Sequence, residues 1–193
     1  MIISFLNQKG GVGKSTASIL IASALHQAGY GVALDDCDPQ GSLSFWSKSV
    51  GQIPAVGEIT KPEVVICDTP GRLDLADAAS VDKIRPIIEK SDRLIIVSEK
   101  SLFSTHASVP MVEMVKRFKK PKAKAAILFN KVRVGTVVGK QDESELAVEL
   151  GLPALKNSLP LAAPYEMMQV SRFSTVPSSH RELVLNLALE ILK

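Results

Sequence analysis

The sequence predicts an α/β fold with a mainly parallel, twisted sheet and helices on both of its faces. Three observations support this prediction: short apolar runs without alternation, helix-spaced apolar residues between them, and a glycine-rich turn after the first run. Apolar runs without alternation are typical of strands covered on both faces. Strands that alternate with helices favour parallel pairing. The chain has 193 residues and no repeat or disordered linker, so residues 1–193 are expected to form a single domain.

The individual elements follow from apolar spacing and from the residues that start and stop helices. Strands are predicted at residues 2–6, 30–34, 64–67, 94–97 and 125–129. Helices are predicted at residues 17–28, 74–90, 104–119, 142–151 and 180–192, with Gly29 and Gly151 as stops and Asp142 as a start. Pro86 is expected to kink or break its helix, and Pro110 to begin or kink the next one. Residues 153–177 are expected to be mostly loop.

Composition excludes several classes of protein. Hydrophobic residues make up 46% and charged residues 22%, as in ordinary globular domains rather than disordered ones. The net charge of +3 is too small by itself to indicate a polyanionic partner. Two cysteines, Cys37 and Cys67, favour a reducing cytosol and are expected to be buried small side chains. No apolar run reaches the length of a membrane span, and the N-terminus does not look like a signal peptide.

A phosphate-binding loop is predicted between the first strand and the first helix. Residues 9–16 read KGGVGKST, with Gln8 where the usual pattern has a glycine. Glycines allow backbone N–H groups to turn towards phosphate oxygens, and the start of a helix adds positive potential. Lys14 would contact the β- and γ-phosphates, Ser15 would bind Mg²⁺, and Thr16 would bond a nearer phosphate. The expected nucleotide-binding residues here are Gly10, Gly11, Val12, Gly13, Lys14, Ser15 and Thr16.

Two further motifs come later in the chain, DDCDPQG at 35–41 and VVICDTPG at 64–71. Together with KGGVGKST they resemble the ParA/MinD group of deviant Walker A ATPases, and above all the small ParA-type plasmid partition ATPases that lack an N-terminal DNA-binding domain. The resemblance covers nearly the whole chain. It implies a P-loop NTPase fold, ATP and Mg²⁺ as cofactors, and an ATPase activity that is weak without partner stimulation.

The resemblance also implies roles for the charged residues. Lys9 would reach across a dimer interface to the partner's nucleotide, as an arginine finger does. Asp38 would activate the attacking water, and Asp36 would support the metal and its waters. In an extended chain both acids would face the nucleotide. Asp68 would hold Mg²⁺ through a water, next to Ser15. The implied catalytic set is Lys9, Lys14, Asp36 and Asp38. Asp35 departs from the family pattern and is expected to be a solvated strand end.

Alternative ligands and relatives can be compared on the same residues. A GTPase reads guanine with an acidic side chain after Asn-Lys-x, but Arg133 occupies that position after Asn130 here and can only donate, so ATP is favoured. By resemblance, Asn130 and Pro160 would contact adenine. An iron–sulfur relative would need suitably placed cysteines, and Cys37 and Cys67 form no CxxC motif. A membrane-bound relative would carry a basic amphipathic tail, whereas residues 181–193 are apolar nearly all round.

The stretch at 115–124, VKRFKKPKAK, holds six cations and no acid. One interpretation is a solvated helix end, because cations are favourable there. The other is a nonspecific phosphate-contact surface. The candidate DNA-binding residues are Lys116, Arg117, Lys119, Lys120 and Arg172.

The sequence therefore predicts an ATPase that dimerises on ATP, binds DNA nonspecifically and is reset by hydrolysis, segregating a plasmid or positioning another cargo. Its expected partners are a second copy of the chain, DNA and a centromere-binding adaptor of ParB type, without a membrane. A cytoplasmic, nucleoid-associated location is expected. The alternative is a nucleotide-gated scaffold, or a MinD-like positioning ATPase with little intrinsic turnover.

Overall fold

The computed structural model describes residues 1–51 and 53–193, and a five-stranded sheet lies at its centre. All strand pairs are parallel. The strands are β1 (Ile2–Leu6), β2 (Val32–Asp36), β3 (Val64–Asp68), β4 (Arg93–Ser98) and β5 (Lys124–Phe129). Their order is β2-β3-β1-β4-β5, so the chain changes direction across the sheet at β1. In open parallel sheets, ligands bind at the carboxyl ends of the strands beside such a switch point.

Helices cover both faces of the sheet, which confirms the predicted architecture. They are α1 (Lys14–Gln27), α2 (Ser42–Ser49), α3 (Ala78–Lys90), α4 (Leu102–Phe118), α5 (Glu143–Leu150), α6 (Ala163–Glu166) and α7 (Ser178–Leu192). Three short 3₁₀ turns occupy Val138–Lys140, Met167–Gln169 and Phe173–Thr175. One hydrophobic cluster joins α1 and α7 to one face of the sheet, and a second joins α3, α4 and α5 to the other.

Alternation along β1 shows how one strand serves both clusters. Ile3 and Phe5 belong to the cluster with α1, whereas Leu6 belongs to the cluster with α3 and α4. All three side chains are fully buried. Successive side chains of a strand point to opposite faces, so an apolar run without alternation is what a doubly covered strand requires.

Several boundaries differ from the sequence prediction. β2 begins and ends two residues later than expected, which makes Asp36 its last residue. α3 begins at Ala78 rather than residue 74, because the Asp77 side chain accepts a hydrogen bond from the backbone N–H of Ser80. Pro86 and Pro110 both lie inside helices that continue past them. α5 starts after Asp142 and ends at a left-handed Gly151 with φ of 72°, as predicted.

The C-terminal helix is packed, as its sequence indicates. Val184, Leu187, Ala188 and Ile191 of α7 belong to the buried cluster that contains α1. Trp46 of α2 is only 3% exposed, and its Nε1 donates to the carbonyl of Met168 at 2.6 Å. In the described part of the chain, no helix combines the length and the apolar character needed to cross a membrane.

Candidate nucleotide-binding site

The loop between β1 and α1 has the backbone conformation that a phosphate cradle requires. Gly11 and Gly13 have φ of 79° and 90°, in the left-handed region where side chains other than glycine are disfavoured. At Gly13 the space is also taken, because an added Cβ would overlap Nδ2 of Asn130. The first turn of α1 starts at Lys14, directly after this glycine. The loop therefore directs the N-terminal end of α1 at whatever occupies the cleft.

Asn7 holds the start of the loop, and sequence reasoning missed it. Its side chain is fully buried, and its Nδ2 donates to the carbonyl of Val97 at 2.8 Å and to Oγ of Ser108 at 2.9 Å. Its Oδ1 accepts the backbone N–H of Lys9 at 3.0 Å. The polar residue that ends the apolar first run was the available signal. Asn7 links the loop to β4 and α4.

Lys14 and Asp38 converge next to Gly71. A Cβ placed on Gly71 would lie 3.6 Å from Nζ of Lys14 and 3.8 Å from Oδ2 of Asp38. Lys14 is 5% exposed, and burial lowers its pKa, while the nearby charges of Asp68 and Asp38 act in the opposite direction. An ammonium group in this setting strongly favours an additional anion, because water solvates it poorly.

Asp68, at the end of β3, has the features expected of a residue that holds a cation. The side chain is fully buried, and Oδ1 accepts a hydrogen bond from Oγ of Ser18 at 3.4 Å. Oδ2 is buried and has no hydrogen-bond partner among the described residues. Burial raises the pKa of Asp68 to about 6, against the lowering effects of Ser15 and Lys14. A buried oxygen without a partner, beside the hydroxyl of Ser15, fits a water-mediated contact to Mg²⁺.

The two acids at and after the end of β2 have different surroundings, and the expectation that both face the nucleotide stays a prediction. Asp38 lies in a turn past the strand and lines the cleft. Asp36 accepts the backbone N–H of Ser44 on Oδ2 at 2.7 Å and that of Asp38 on Oδ1 at 3.2 Å. The chain turns after Asp36, so alternation along an extended strand no longer applies. The Asp36 carboxylate holds the Asp38 turn and the first turn of α2.

The opposite side of the same strand ends carries an ion pair and the two cysteines. Asp35 was expected to be a solvated strand end. Its carboxylate lies 2.6 Å from Nζ of Lys90 and is 29% exposed, so Asp35 forms an ion pair there. Cys67 is fully buried, as predicted, but Cys37 is only half-buried. The two sulfur atoms lie 3.3 Å apart.

A cleft of about 500 Å³ lies over the loop. Of the predicted nucleotide-binding residues, it is lined by Gly11, Gly13, Lys14, Ser15, Thr16, Asn130 and Pro160. Val12 is fully buried beneath the loop, and its carbonyl accepts Nδ2 of Asn130 at 2.8 Å. Gly10 packs against Gly71, so a Cβ placed on Gly10 would lie 3.3 Å from the Gly71 carbonyl oxygen. Lys9 is half-buried and does not line its own chain's cleft.

Sequence reasoning missed several residues that line the cleft, among them Phe45 and Lys131. Lys131 Nζ donates to the carbonyl of Gly11 at 2.7 Å, and its backbone is left-handed with φ of 55°. Phe45 is 68% exposed at the cleft, whereas Tyr165 is 4% exposed. Lys131, next to Asn130, and Phe45, distant in sequence from both, belong to no local motif that would identify them as lining the cleft.

The predicted DNA-binding residues do not form one cluster. Lys116 and Arg117 end α4, on one face of the sheet, while Arg172 borders a cleft with His26 and Gln27 of α1, on the other face. Several of the cations have local partners. Lys120 pairs with Asp92 at 2.7 Å, Lys116 with Glu113 at 3.2 Å, and Lys119 donates to the carbonyl of Ala123 at 3.3 Å.

A glycine-rich loop that leads into a helix, with a buried lysine and a carboxylate at the next strand end, defines the P-loop class of nucleotide-binding proteins. The protein-family model of the CobQ/CobB/MinD/ParA nucleotide binding domain matches residues 3–170, and the chain belongs to this family.

One relative is the maintenance of carboxysome distribution protein A of Halothiobacillus neapolitanus, 29% identical over 182 residues that cover 84% of this chain and 81% of that protein. Matches to other curated relatives span less than half of each of those proteins. The fold is similar to that of apo McdA from Cyanthece, with a TM-score of 0.73 at 14% identity over 100% of this chain and 99% of that one. It is also similar to the septum site-determining protein MinD of Pyrococcus horikoshii OT3 complexed with Mg-ADP, with a TM-score of 0.71 at 15% identity over 100% and 96% of the two chains.

Proposed function

We propose that this chain is a Mg²⁺-dependent ATPase that dimerises on ATP and positions a cargo on DNA. The observation that carries the proposal is the convergence of Lys14, Asp38 and the buried, incompletely bonded Asp68 beneath the glycine loop. Three charged groups meet there at the carboxyl edge of the sheet, next to the positive end of α1. Membership of the family supports nucleotide binding at this site.

Each group has a separate task in this proposal. Backbone N–H groups of the loop and the Lys14 ammonium bind the β- and γ-phosphates, which supply the anion that the buried Lys14 favours. Ser15 and Asp68, the latter through a water, would hold Mg²⁺. When bound, Mg²⁺ neutralises charge on the phosphates. Asp38 orients and deprotonates the attacking water, and Asp36 fixes the turn that carries Asp38.

ATP is the favoured nucleotide because of the residues that come after β5. Asn130 and Pro160 both line the cleft, and Pro160 is bridged to Val132. Arg133, where a guanine reader needs an acceptor, is an exposed side chain. Asn130 is bonded to the Val12 carbonyl in this structure, so adenine binding would exchange or share that hydrogen bond.

Dimerisation is inferred from the position of Lys9. The side chain lies at the loop but outside the cleft of its own chain, while Asn7 fixes its backbone. In a face-to-face dimer, Lys9 would contact the phosphates of the partner's nucleotide and complete that site. A second cation on the same phosphates stabilises the charge of the transition state.

DNA binding is the component that depends on the surface cations. Arg117 and Lys122 are exposed, and Arg117 stacks on Phe118 with its guanidinium carbon 4.9 Å from the ring centroid. A dimer doubles each contact, so a modest monomer charge of +3 is compatible with ATP-gated binding. The cargo is proposed to be a plasmid, linked by a ParB-type adaptor, or a protein body like that named for the carboxysome relative.

Light scattering with ATP, ADP and no nucleotide tests the proposal. The expected result is a dimer with ATP only, and Lys9→Ala should lose the dimer while it keeps the nucleotide affinity of the monomer. A mass that is the same in all three conditions would contradict dimerisation on ATP. Phosphate release with and without DNA separates a weak, stimulated ATPase from the alternative, a nucleotide-gated scaffold with negligible turnover.

A further inference from the structure

The two cysteines of the chain meet at the carboxyl ends of β2 and β3. Asp35 is the register partner of Cys67, and the backbone N–H of Cys37 donates to the carbonyl of Asp68 at 2.9 Å. This arrangement puts both thiols on the same face of the sheet. The sulfur atoms lie 3.3 Å apart although the cysteines are 30 positions apart in sequence. Their proximity is a product of the fold and has no counterpart in a local motif.

Two chemistries could use this pair, a metal ion or a disulfide. The Asp35 carboxylate and both sulfur atoms lie within 4.8 Å of one another, close enough to share an ion. However, Nζ of Lys90 is 2.6 Å from the Asp35 carboxylate. The ammonium group already neutralises the third ligand and repels a cation, while it leaves the two thiols free to react with each other. The surroundings therefore favour a bond between the sulfur atoms.

We propose that Cys37 and Cys67 form a reversible intramolecular disulfide, with a low-molecular-weight disulfide as the oxidant. Cys37 is half-buried and can be reached from solvent, whereas Cys67 is fully buried beside it. These two degrees of exposure assign the roles of attacking and resolving thiol.

The reaction balances in two exchange steps. The Cys37 sulfur, as thiolate, attacks one sulfur of the oxidant and releases the other as a thiol after it takes up a proton. The Cys67 sulfur then attacks the Cys37 sulfur, loses its own proton, and releases the second small thiol. In sum, two protein thiols and one small disulfide give one protein disulfide and two small thiols. The protein loses two electrons and the oxidant gains them.

The position of the pair suggests a consequence, which rests on the proposed function. Cys37 lies between Asp36 and Asp38, and Cys67 directly precedes Asp68. Closing the 3.3 Å gap draws the turn that carries Asp38 towards β3. The disulfide should therefore change the affinity for Mg·ATP.

Mass spectrometry of the reduced, full-length protein treated with oxidised glutathione tests the disulfide without reference to nucleotide. The expected product is lighter by two hydrogen atoms and returns to the starting mass with dithiothreitol. Trypsin cuts after Lys48, between the cysteines, so the product should give one disulfide-linked peptide pair. A wild-type protein that keeps both thiols, or that accumulates a stable glutathione adduct, would overturn the proposal. Uptake of one Zn²⁺ per chain that blocks the linkage would overturn it in favour of a metal site.

Matched serine variants then assign the roles. Cys67→Ser should accumulate a glutathione adduct at Cys37, and Cys37→Ser should stay unmodified because Cys67 is buried. An adduct on Cys67 in the second variant would contradict the order of attack. For the consequence, the Kd of a fluorescent ATP analogue with Mg²⁺ should differ about fivefold or more between reduced and oxidised wild type. An equal Kd would overturn the coupling, whereas no binding in either state would contradict the proposed function and leave the disulfide result intact.

Discussion

The phosphate loop and the basic stretch at residues 115–124 are both rich in cations, but their cations differ in burial and in the charged groups around them. Lys14 is 5% exposed, and its charged neighbours are the carboxylates of Asp68, at the end of β3, and of Asp38, in the turn after β2. In the basic stretch the cations lie at the surface, and Lys120 and Lys116 pair with acids within reach of the same surface. A buried cation has to be compensated by groups the fold brings to it, whereas a surface cation is solvated wherever it lies. Composition alone does not distinguish the two regions.

The largest expected effect is at the buried cation. Lys14→Ala should weaken binding of Mg·ATP by about 100-fold or more, about 2.7 kcal/mol, because it removes a charge-assisted contact inside a poorly solvated site. Isothermal titration of the variant measures this. Lys124→Ala, at the exposed start of β5, is the matched control and should keep the wild-type affinity. A loss of affinity of less than threefold in Lys14→Ala, about 0.7 kcal/mol, would show that the buried lysine contributes no more to Mg·ATP binding than a surface lysine does.

The next effect separates the roles of Asp36, at the end of β2, and Asp38, in the turn that follows. Asp38→Ala should lower the rate of phosphate release by about 100-fold or more and leave nucleotide affinity nearly unchanged, since it removes the group that activates water. Asp36→Ala should instead destabilise the fold by about 1–3 kcal/mol, because the N–H groups of Ser44 and Asp38 lose their acceptor. Denaturant unfolding and phosphate release measure both. Turnover in Asp38→Ala at the wild-type rate would exclude its role.

A third prediction concerns the pH dependence of stability. Burial raises the folded-state pKa of Asp68 to about 6, above the ordinary value of 3.8. The folded state therefore holds this proton more tightly than the unfolded state. As pH falls from about 6 to about 4, the proton on Asp68 makes the free energy of unfolding rise. Well above pH 6, where Asp68 is ionised, the free energy of unfolding is lower than at pH 4 by up to about 3 kcal/mol on account of this group.

Asp68→Asn tests this prediction, because it removes the titrating group. The variant should be more stable than wild type at pH 7.5 without nucleotide, and the difference should shrink towards pH 4. Wild-type binding of Mg·ATP should weaken below pH 6, as Asp68 becomes protonated. A stability difference that does not vary with pH would contradict the assignment.

The smallest effect is expected in the basic stretch. Arg117→Ala combined with Lys122→Ala should lower the slope of log K against log salt by about 0.9 for each phosphate that the protein in its ATP state no longer neutralises. Lys83→Ala, an exposed lysine on α3, is the matched control. Filter binding at several salt concentrations measures the slopes. DNA retention that changes with neither salt nor ATP would favour the other interpretation, in which the basic stretch is a solvated helix end.

The fold could be predicted from the sequence because its signals are local. Apolar runs located all five strands, and the KGGVGKST loop fixed the junction of β1 and α1. Where a boundary depends on one side chain, prediction was less accurate: the Asp77 cap moved the start of α3 by four residues. Pro86 gave a break signal that the packing of α3 overrides, since Ile84, Ile87 and Ile88 around it are buried.

The site could be predicted only in part, because some of its contacts join distant segments. The loop residues follow from one motif, but the anchor at Asn7 depends on Ser108, and the contact of Asn130 depends on Val12. The carboxylate of Asp36 accepts two backbone N–H groups where the chain turns, and these bonds could not be read from spacing. Register between β2 and β3 brought Cys37 to Cys67. Each of these outcomes requires tertiary structure, which local spacing does not contain.

Calorimetric titration of the wild-type protein with ATP, ADP and AMP in the presence of Mg²⁺ tests the central claim most directly. If the loop and Lys14 bind the β- and γ-phosphates, affinity should fall from ATP to AMP by about 100-fold or more, with one nucleotide per chain. Equal affinities for the three nucleotides, or no heat from ATP, would contradict the account.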